Sequence, residues 1–432
     1  MDDVSRFDQF CKLRREIRGA TKYLIVGIDI AKDKHHAFFG TAKGKTLWRR
    51  LIFTNDHVGY ERLIEQVNTL MAQHKLEQVV FGLEPTSNYH KPLAHWLTGH
   101  EYLVVLVAGK AVKDNRELLD GRWDKNDTKD SANVADLISQ GKCLFYENPE
   151  DEIISLRNLL AVRKQLKKEE HRLRMRIRNG LLAKYFPEMD RHWGKCLEEN
   201  LAIVRWYLDP RKIAETDFNL FVQHVTATDR GLRQVDRLRK IYEAAQHSIG
   251  LPVNAAAVYE AKMLVERFKA VREQGLQTMG QIATICRKLP AYKLLLTIPG
   301  FGPYIAPLVL SALANPLRFQ SRKQVIRLAG LDLNASRSGK KSLESVPVIS
   351  KKGDADLRYG LYQAALIASY HNDCFRRVYH RMLEGRQAER GIKTKVRVKI
   401  AAKMLVIAWT MLKNNAPFNA ARMALAEPDQ QR

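Results

Sequence analysis

Four acidic residues in the first third of the chain have the types and spacing of a metal site. Asp29 ends the apolar run Tyr-Leu-Ile-Val-Gly-Ile-Asp, and Glu84 ends a second one, Val-Val-Phe-Gly-Leu-Glu. Asp127 and Asp130 form an Asp-x-x-Asp pair, which places them about one turn apart on a helix. A carboxylate at the end of a buried strand is costly unless a cation pairs with it. Carboxylate oxygens are preferred ligands of Mg²⁺. We therefore predict that the four residues bind two Mg²⁺ ions and support in-line phosphodiester cleavage.

Each acid also has a plain structural explanation. Asp29 alone suits a strand end, and Asp127 and Asp130 suit a helix N-terminus, where the helix dipole favours acidic side chains. It is the four acids together, in this order and in a basic protein, that favour the metal site. The neighbouring His35 and His36 are not expected to form a metal pair, because successive side chains of a strand point to opposite faces.

The elements around the acids predict an α/β domain over residues 1–145, since strands there alternate with helices. Apolar runs predict buried strands, and apolar residues at helical spacing predict the helices between them. The predicted strands are 23–30, 35–40, 46–53, 78–83 and 102–107, and the predicted helices are 58–73, 90–99 and one that begins near Thr128.

The rest of the chain is predicted to be mainly helical. Residues 152–185 carry an apolar stripe, and residues 161–184 contain nine Lys or Arg against two Glu. One face of this helix suits burial against a partner, and the other suits a phosphate backbone. A second long helix is predicted at 254–272. We interpret 146–290 as a helical, coiled-coil arm and 291–432 as a mainly α C-terminal domain.

Composition indicates a nucleic-acid partner. The 432-residue chain has a formal net charge of +25, and residues 301–432 alone contain 23 Lys or Arg against nine Asp or Glu. An excess of this size points to a polyanion such as DNA or RNA. The sequence has no apolar run long enough to span a bilayer and no apolar signal segment, so no membrane association is expected. Its five scattered cysteines suggest free thiols in the cytoplasm.

Two segments of the last third suit phosphate contacts. The turn Ile-Pro-Gly-Phe-Gly-Pro contains Gly300 and Gly302 between two apolar runs, which is the pattern of a helix-hairpin-helix motif or of a plain tight turn. Further along, Lys351, Lys352 and Arg358 lie at the entry to a predicted helix. Backbone amides beside glycine and cationic side chains at a helix start both bind phosphate oxygens.

A third segment, Asn-Ala-Ser-Arg-Ser-Gly-Lys-Lys, contains two candidate nucleophiles. Ser336 and Ser338 flank Arg337, and Lys340 and Lys341 follow. A serine among cations suits nucleophilic attack, because the cations stabilise the negative charge that develops. From the residues alone, a flexible basic loop that touches phosphate or solvent is the favoured interpretation of this segment.

The order of these motifs resembles the DEDD transposases of the insertion-sequence-110 family, whose relatives include a pilin-gene DNA invertase. The resemblance covers roughly residues 23–415. It rests on these segments: Gly27-Ile28-Asp29-Ile30-Ala31-Lys32, Leu83-Glu84-Pro85-Thr86, Asp127-x-x-Asp130-Ser131-Ala132, Ile298-Pro299-Gly300-Phe301-Gly302-Pro303, Ala329-Gly330-Leu331, Ser338-Gly339, and Ser350-Lys351-x-Gly353 with Leu357-Arg358.

The resemblance implies an RNase H-like (RuvC-like) N-terminal domain with catalytic Mg²⁺, a dimerising arm and a C-terminal domain with a catalytic serine. Carried over by position, the metal quartet is Asp29, Glu84, Asp127 and Asp130, and the nucleophile is Ser338, with Ser336 as the alternative. The resemblance also implies a homo-oligomer, dimer or tetramer, and a bridge RNA that selects the DNA sites.

These observations together predict a site-specific DNA recombinase of the transposase type. Two other functions are compatible with parts of the pattern. A hydrolytic junction resolvase would use the acidic quartet without a serine, and a non-catalytic nucleic-acid-binding protein would need neither. The presence of all four acids disfavours the second alternative.

Overall fold

A computed structural model describes residues 11, 14–120, 127–146, 149–193, 196–226, 232–334 and 348–421, without side chains at 117–120, 127–128, 232–233 and 334. By their internal contacts the residues group into two units. The first comprises 1–150 and 315–325, and the second comprises 151–314 and 326–432. The division into three domains predicted from the sequence therefore stays a prediction.

The first unit contains a six-stranded mixed sheet with the strand order β3-β2-β1-β4-β5-β6. Strands β1 to β3 form an antiparallel meander, β4 and β5 run parallel to β1, and β6 is antiparallel to β5. The strands are β1 (Tyr23–Asp29), β2 (Lys34–Thr41), β3 (Thr46–Thr54), β4 (Gln78–Leu83), β5 (Leu103–Leu106) and β6 (Leu144–Phe145).

Helices α1 to α4 accompany this sheet, and apolar side chains pack on both of its faces. Alternate residues of β1 face opposite sides, so Leu24 lies in one apolar cluster and Ile25 in the other. The helices are α1 (His57–His74), α2 (His90–Gly99), α3 (Gly109–Asp120) and α4 (Asp127–Ser139). The predicted α/β organisation is confirmed at this level. Helix α3 was not predicted, because its sequence Gly-Lys-Ala-Val-Lys-Asp-Asn-Arg is too polar for a clear apolar stripe.

The second unit begins with two long helices that pack antiparallel to each other. Helix α5 (Asp151–Met175) continues through a π-helical segment, Arg176–Leu182, into α6 (Ala183–Tyr185). Ion pairs join Arg176 to Glu260 and Glu169 to Arg267, so the partner helix runs in the opposite direction. That partner is the 34-residue α11 (Ala255–Lys288), which extends well beyond the predicted end at residue 272.

The described chain between these long helices is also helical. Its apolar residues are spread over short segments, which hides their periodicity, and they meet in one buried cluster. The elements are a 3-10 helix (Pro187–His192), α7 (Leu197–Trp206), α8 (Pro210–Ala214), α9 (Phe218–Val225) and α10 (Leu232–Gln246).

The described part of the last third is mainly helical and includes a small two-stranded sheet. Within the described part of the chain, none of the helices has the length and apolar character that crossing a membrane requires. The elements are α12 (Pro290–Leu296), α13 (Ile305–Leu313), a 3-10 helix (Pro316–Arg318), α14 (Arg322–Leu328), β7 (Leu333–Asn334), β8 (Val348–Ile349), α15 (Ala355–His371), α16 (Asp373–Leu383) and α17 (Ile392–Asn414).

A pair of glycines sets the position of α4 on the sheet. Gly27 of β1 and Gly82 of β4 are register partners in neighbouring parallel strands. A Cβ on Gly27 would overlap the carbonyl oxygen of Ser131 and lie 2.5 Å from the backbone nitrogen of Ala135. A Cβ on Gly82 would overlap the side chain of Ile138. The glycine pair (Gly27 and Gly82) therefore forms the groove that lets α4 approach the sheet.

Substitution of Gly27 by alanine tests this groove. We expect Gly27→Ala to lower the free energy of unfolding by about 1–3 kcal/mol, the usual cost of overpacking, because the new methyl group meets backbone atoms. The measurement is denaturant unfolding of the full chain followed by circular dichroism. Gly99→Ala is the matched control, since a Cβ there meets nothing within 4 Å. Equal stability of the two variants would contradict the role of the groove.

Candidate active site

The parallel pairing of β1 and β4 places Asp29 beside Glu84. Ile28 and Leu83 are register partners, and the two acids are the next residues of their strands. Each acid also follows its member of the glycine pair by two residues, so it lies on the same face of the sheet. That is the face on which α4 packs. The strand ends thus present two carboxylates to the N-terminal part of α4.

Asp130 of α4 completes a pocket at this edge of the sheet. The pocket has a volume of about 190 Å³ and carries three carboxylates. The N-terminus of α3 also approaches it, because a Cβ on Gly109 would lie 2.8 Å from Oε1 of Glu84. A helix N-terminus stabilises a nearby anion. The lining residues are Asp29, Ile30, Ala31, Lys34, His36, Glu84, Thr86, Arg116 and Asp130.

Asp130 forms an ion pair inside this pocket. Nε of Arg116 donates a hydrogen bond to Oδ1 of Asp130 over 2.8 Å. The Asp130 side chain is 2% exposed and that of Arg116 is 18% exposed. Removal of one partner from a buried ion pair costs about 3–5 kcal/mol. The contact therefore contributes to holding α3 against α4.

The donor set suits a hard divalent cation. Three carboxylates from separate elements line one polar pocket, and carboxylate oxygens are the ligands that Mg²⁺ prefers. No group of three His, Cys, Asp or Glu side chains in the described residues already has the arrangement to hold a metal ion. Asp127 begins α4, but its side chain lies outside the described residues. The metal quartet therefore stays a prediction, with three of its members brought to one pocket.

Six lining residues were not predicted as part of the site, and four of them have polar side chains: Lys34, His36, Thr86 and Arg116. His36 is the register partner of Asp29 across the antiparallel β1–β2 pair, a contact that only the pairing reveals. His35 points away from the pocket. It accepts a hydrogen bond from the Ala31 amide at Nδ1, and burial lowers the pKa of its imidazole below the ordinary value. The two histidines thus have separate surroundings, as strand alternation predicts.

In the second unit, the candidate serines lie outside the described residues, as do Arg337, Lys340 and Lys341. The ends of that segment are described. Strands β7 and β8 pair antiparallel on either side of it. Beyond them the Ser350 amide donates to the Asp332 carbonyl over 2.7 Å, and the Ser350 hydroxyl donates to the Asp332 carboxylate over 2.5 Å. The described residues on the two sides of 335–347 are therefore held together.

Gly330 and Gly353 approach each other closely next to these hydrogen bonds. Gly330 has a positive φ of 61°, and a Cβ there would lie 2.9 Å from the Gly353 nitrogen. The Lys351 amide donates to the Gly330 carbonyl over 3.0 Å. Nη1 of Arg358 donates to the Ala329 carbonyl over 2.9 Å. Arg358 thus has a role in holding this junction, besides the predicted phosphate contact.

The remaining predicted phosphate contacts differ in their surroundings. Lys351 and Lys352 are exposed, so their side chains are accessible to a ligand. Gly300 has a φ of 86°, and a Cβ there would lie 2.5 Å from the Ala364 carbonyl oxygen of α15. Glycine is therefore required at position 300 for this close packing against α15. A Cβ on Gly302 would meet nothing within 4 Å, so the space beside it is open. Phosphate contacts at these four residues stay predictions.

Comparison with known protein families finds two matches, one in each half of the chain. Residues 26–187 match a family of DEDD transposases, described as "Transposase". Residues 292–380 match the "Transposase IS116/IS110/IS902 family". The first match includes all four predicted metal ligands. The second includes both serine candidates, Gly330 and Gly353.

Curated relatives align over nearly the whole chain. A pilin gene-inverting protein of Moraxella lacunata is 24% identical over 91% of this chain and 97% of its own length. The pilin gene-inverting protein of Moraxella bovis is 23% identical over the same shares. An uncharacterised protein of insertion element IS110 from Streptomyces coelicolor is 24% identical over 93% of this chain and 96% of its own length.

Proposed function

We propose that this chain, which belongs to the IS110 family of transposases and is a DNA recombinase, cleaves and rejoins DNA with the acidic pocket and a serine nucleophile. The observation that carries the proposal is the meeting of Asp29, Glu84 and Asp130 in one pocket. Asp127 is the proposed fourth ligand, since it begins the helix that carries Asp130.

The proposal includes an RNase H-like fold for the first unit. What supports it is the strand order 3-2-1-4-5, with an antiparallel meander first and two parallel strands after it. In this arrangement the carboxyl ends of β1 and β4 present their acids to one helix. Two Mg²⁺ ions held there would supply Lewis-acid polarisation of the scissile phosphate. The carboxylates fix their positions, and Arg116 and Lys34 add positive charge to the pocket wall.

Ser338 is the proposed nucleophile. Its Oγ forms a bond to the phosphorus, the bond from phosphorus to a deoxyribose oxygen breaks, and the hydroxyl proton passes through solvent to that leaving oxygen. Attack of a second strand end on the seryl phosphodiester then restores the serine and joins the strands. Bond energy is conserved, so no external energy source is needed. Arg337, Lys340 and Lys341 stabilise the charge on the phosphate in this proposal.

DNA is the substrate of this proposed reaction, consistent with the relatives that invert pilin genes. The family resemblance adds two further partners to the proposal. One is a bridge RNA that chooses the DNA sites, and the other is a second copy of the chain in a homo-oligomer. The net charge of +25 supports binding of either nucleic acid.

Removal of divalent metal tests the proposed function. The purified chain is incubated with DNA that carries both ends of the element, with its flanking non-coding RNA, and the joined products are sequenced. We expect joined products with Mg²⁺ and none with a chelator, and restoration when excess Mg²⁺ is added back. Joining that proceeds unchanged in the chelator would contradict the role of the acidic pocket.

A further inference from the structure

The acidic pocket is lined by Arg116, whose guanidinium group pairs with one of the carboxylates. Nε of Arg116 lies 2.8 Å from Oδ1 of Asp130, and both residues line the pocket together with Asp29 and Glu84. At 2% exposure, the Asp130 side chain has almost no access to solvent. A buried carboxylate needs a compensating charge. Arg116 supplies such a charge.

We infer that Arg116 is a positioning residue that competes with divalent metal for Asp130 and must leave before Asp130 binds the ion. The inference rests on the proposed function, because Asp130 is a metal ligand only in that proposal. Oδ1 accepts the guanidinium hydrogen bond, so a metal ion at the same oxygen would meet a positive charge at hydrogen-bond distance. Oδ1 therefore serves one of the two cations at a time.

The packing of α3 against α4 does not depend on the ion pair alone. The neighbouring Asn115 is buried and holds α3 onto α4 independently of the ion pair. Its Nδ2 donates to Oδ1 of Asn133 over 2.7 Å and to Oδ2 of Asp136 over 2.8 Å. These bonds involve no pocket carboxylate. Helix α3 thus keeps its place when Arg116 is released.

The competition has a measurable consequence for metal affinity. A site that is open in only a fraction of molecules binds its ligand more weakly by that fraction. If Arg116 occupies Asp130 in roughly nine molecules of ten, removal of its charge tightens metal binding about tenfold. A residue with a purely structural role would have the opposite effect, because its loss would disorder the ligands.

The test measures Mn²⁺ binding to the full chain, without nucleic acid, by electron paramagnetic resonance. We expect Arg116→Gln to bind Mn²⁺ about tenfold more tightly than the unaltered chain and to melt at a lower temperature without metal. Lys113→Gln is the matched control, since it removes one exposed charge from the same helix. It should leave both values unchanged.

A second measurement uses the unaltered chain and does not depend on Arg116→Gln being folded, because only the conservative variant Arg116→Lys is needed for assignment. The Nε–H resonance of Arg116, assigned by its loss in Arg116→Lys, should shift or broaden when Mg²⁺ is added. An unmoved resonance at saturating Mg²⁺ overturns the inference. So does equal or weaker Mn²⁺ binding by Arg116→Gln, provided that Asp29→Asn weakens it. If Asp29→Asn has no effect on Mn²⁺ binding, the proposed metal site itself is wrong and the inference falls with it.

Discussion

Asp29→Asn is expected to lower DNA strand cleavage by roughly a thousandfold or more, because loss of a metal ligand removes several kcal/mol of transition-state stabilisation. The substitution keeps the size of the side chain at the end of β1. Binding of DNA and RNA should stay close to that of the unaltered chain, since the basic residues are untouched. The measurement is cleavage of labelled DNA under single-turnover conditions, with affinity followed by fluorescence anisotropy.

Asp33→Asn is the matched control for this variant. Asp33 is an exposed acid four residues beyond Asp29, and it does not line the pocket. Its substitution removes the same charge from the same connection, so cleavage should be unchanged. Similar losses in both variants would indicate a general effect of charge. Full activity of Asp29→Asn would show that the pocket is not the catalytic site.

Ser338→Ala is expected to abolish a covalent protein–DNA adduct and to reduce strand joining to background. The alanine has no hydroxyl to form the seryl phosphodiester, so the effect should be close to complete. The adduct is trapped on a nicked suicide substrate with Mg²⁺, denatured, and detected as a band of reduced mobility. Glu84→Gln should also lose the band, because the pocket would lack one of its carboxylates.

Ser336→Ala is the control, since it removes the same hydroxyl from the same basic segment. We expect it to retain the adduct. If Ser336→Ala loses the band and Ser338→Ala keeps it, the nucleophile is the earlier serine. Cleavage by the unaltered chain without any adduct would favour the hydrolytic alternative, in which activated water attacks the phosphate and the serine has no chemical part.

Two strands that form the pocket were predictable from the sequence. Apolar runs ending in Asp29 and Glu84 predicted two buried strands with acids at their ends, and those strands are present as β1 and β4. Each strand also carries a glycine two residues before its acid. What no run of residues shows is that the glycines are register partners, because pairing joins strands that are far apart in the chain.

Arg116 lies in the same pocket, but the sequence did not predict its role there. It lies on a polar helix without a clear apolar stripe, so periodicity offered no reason to select it. Only the packing of α3 against α4 brings its guanidinium to Asp130. Arg358 is a similar case in the second unit. Its basic context predicted a phosphate contact, whereas folding also gives it the Ala329 carbonyl as a partner.

The chemical character of this protein could be predicted from the chain alone: acids at strand ends, a large basic excess and a serine among cations. These properties depend on residue type and local spacing, which are written in the chain. The tertiary structure decided which groups meet, namely three carboxylates in one pocket and an arginine that holds one of them. These contacts depend on strand register and close helix packing, which arise only when distant segments fold against each other.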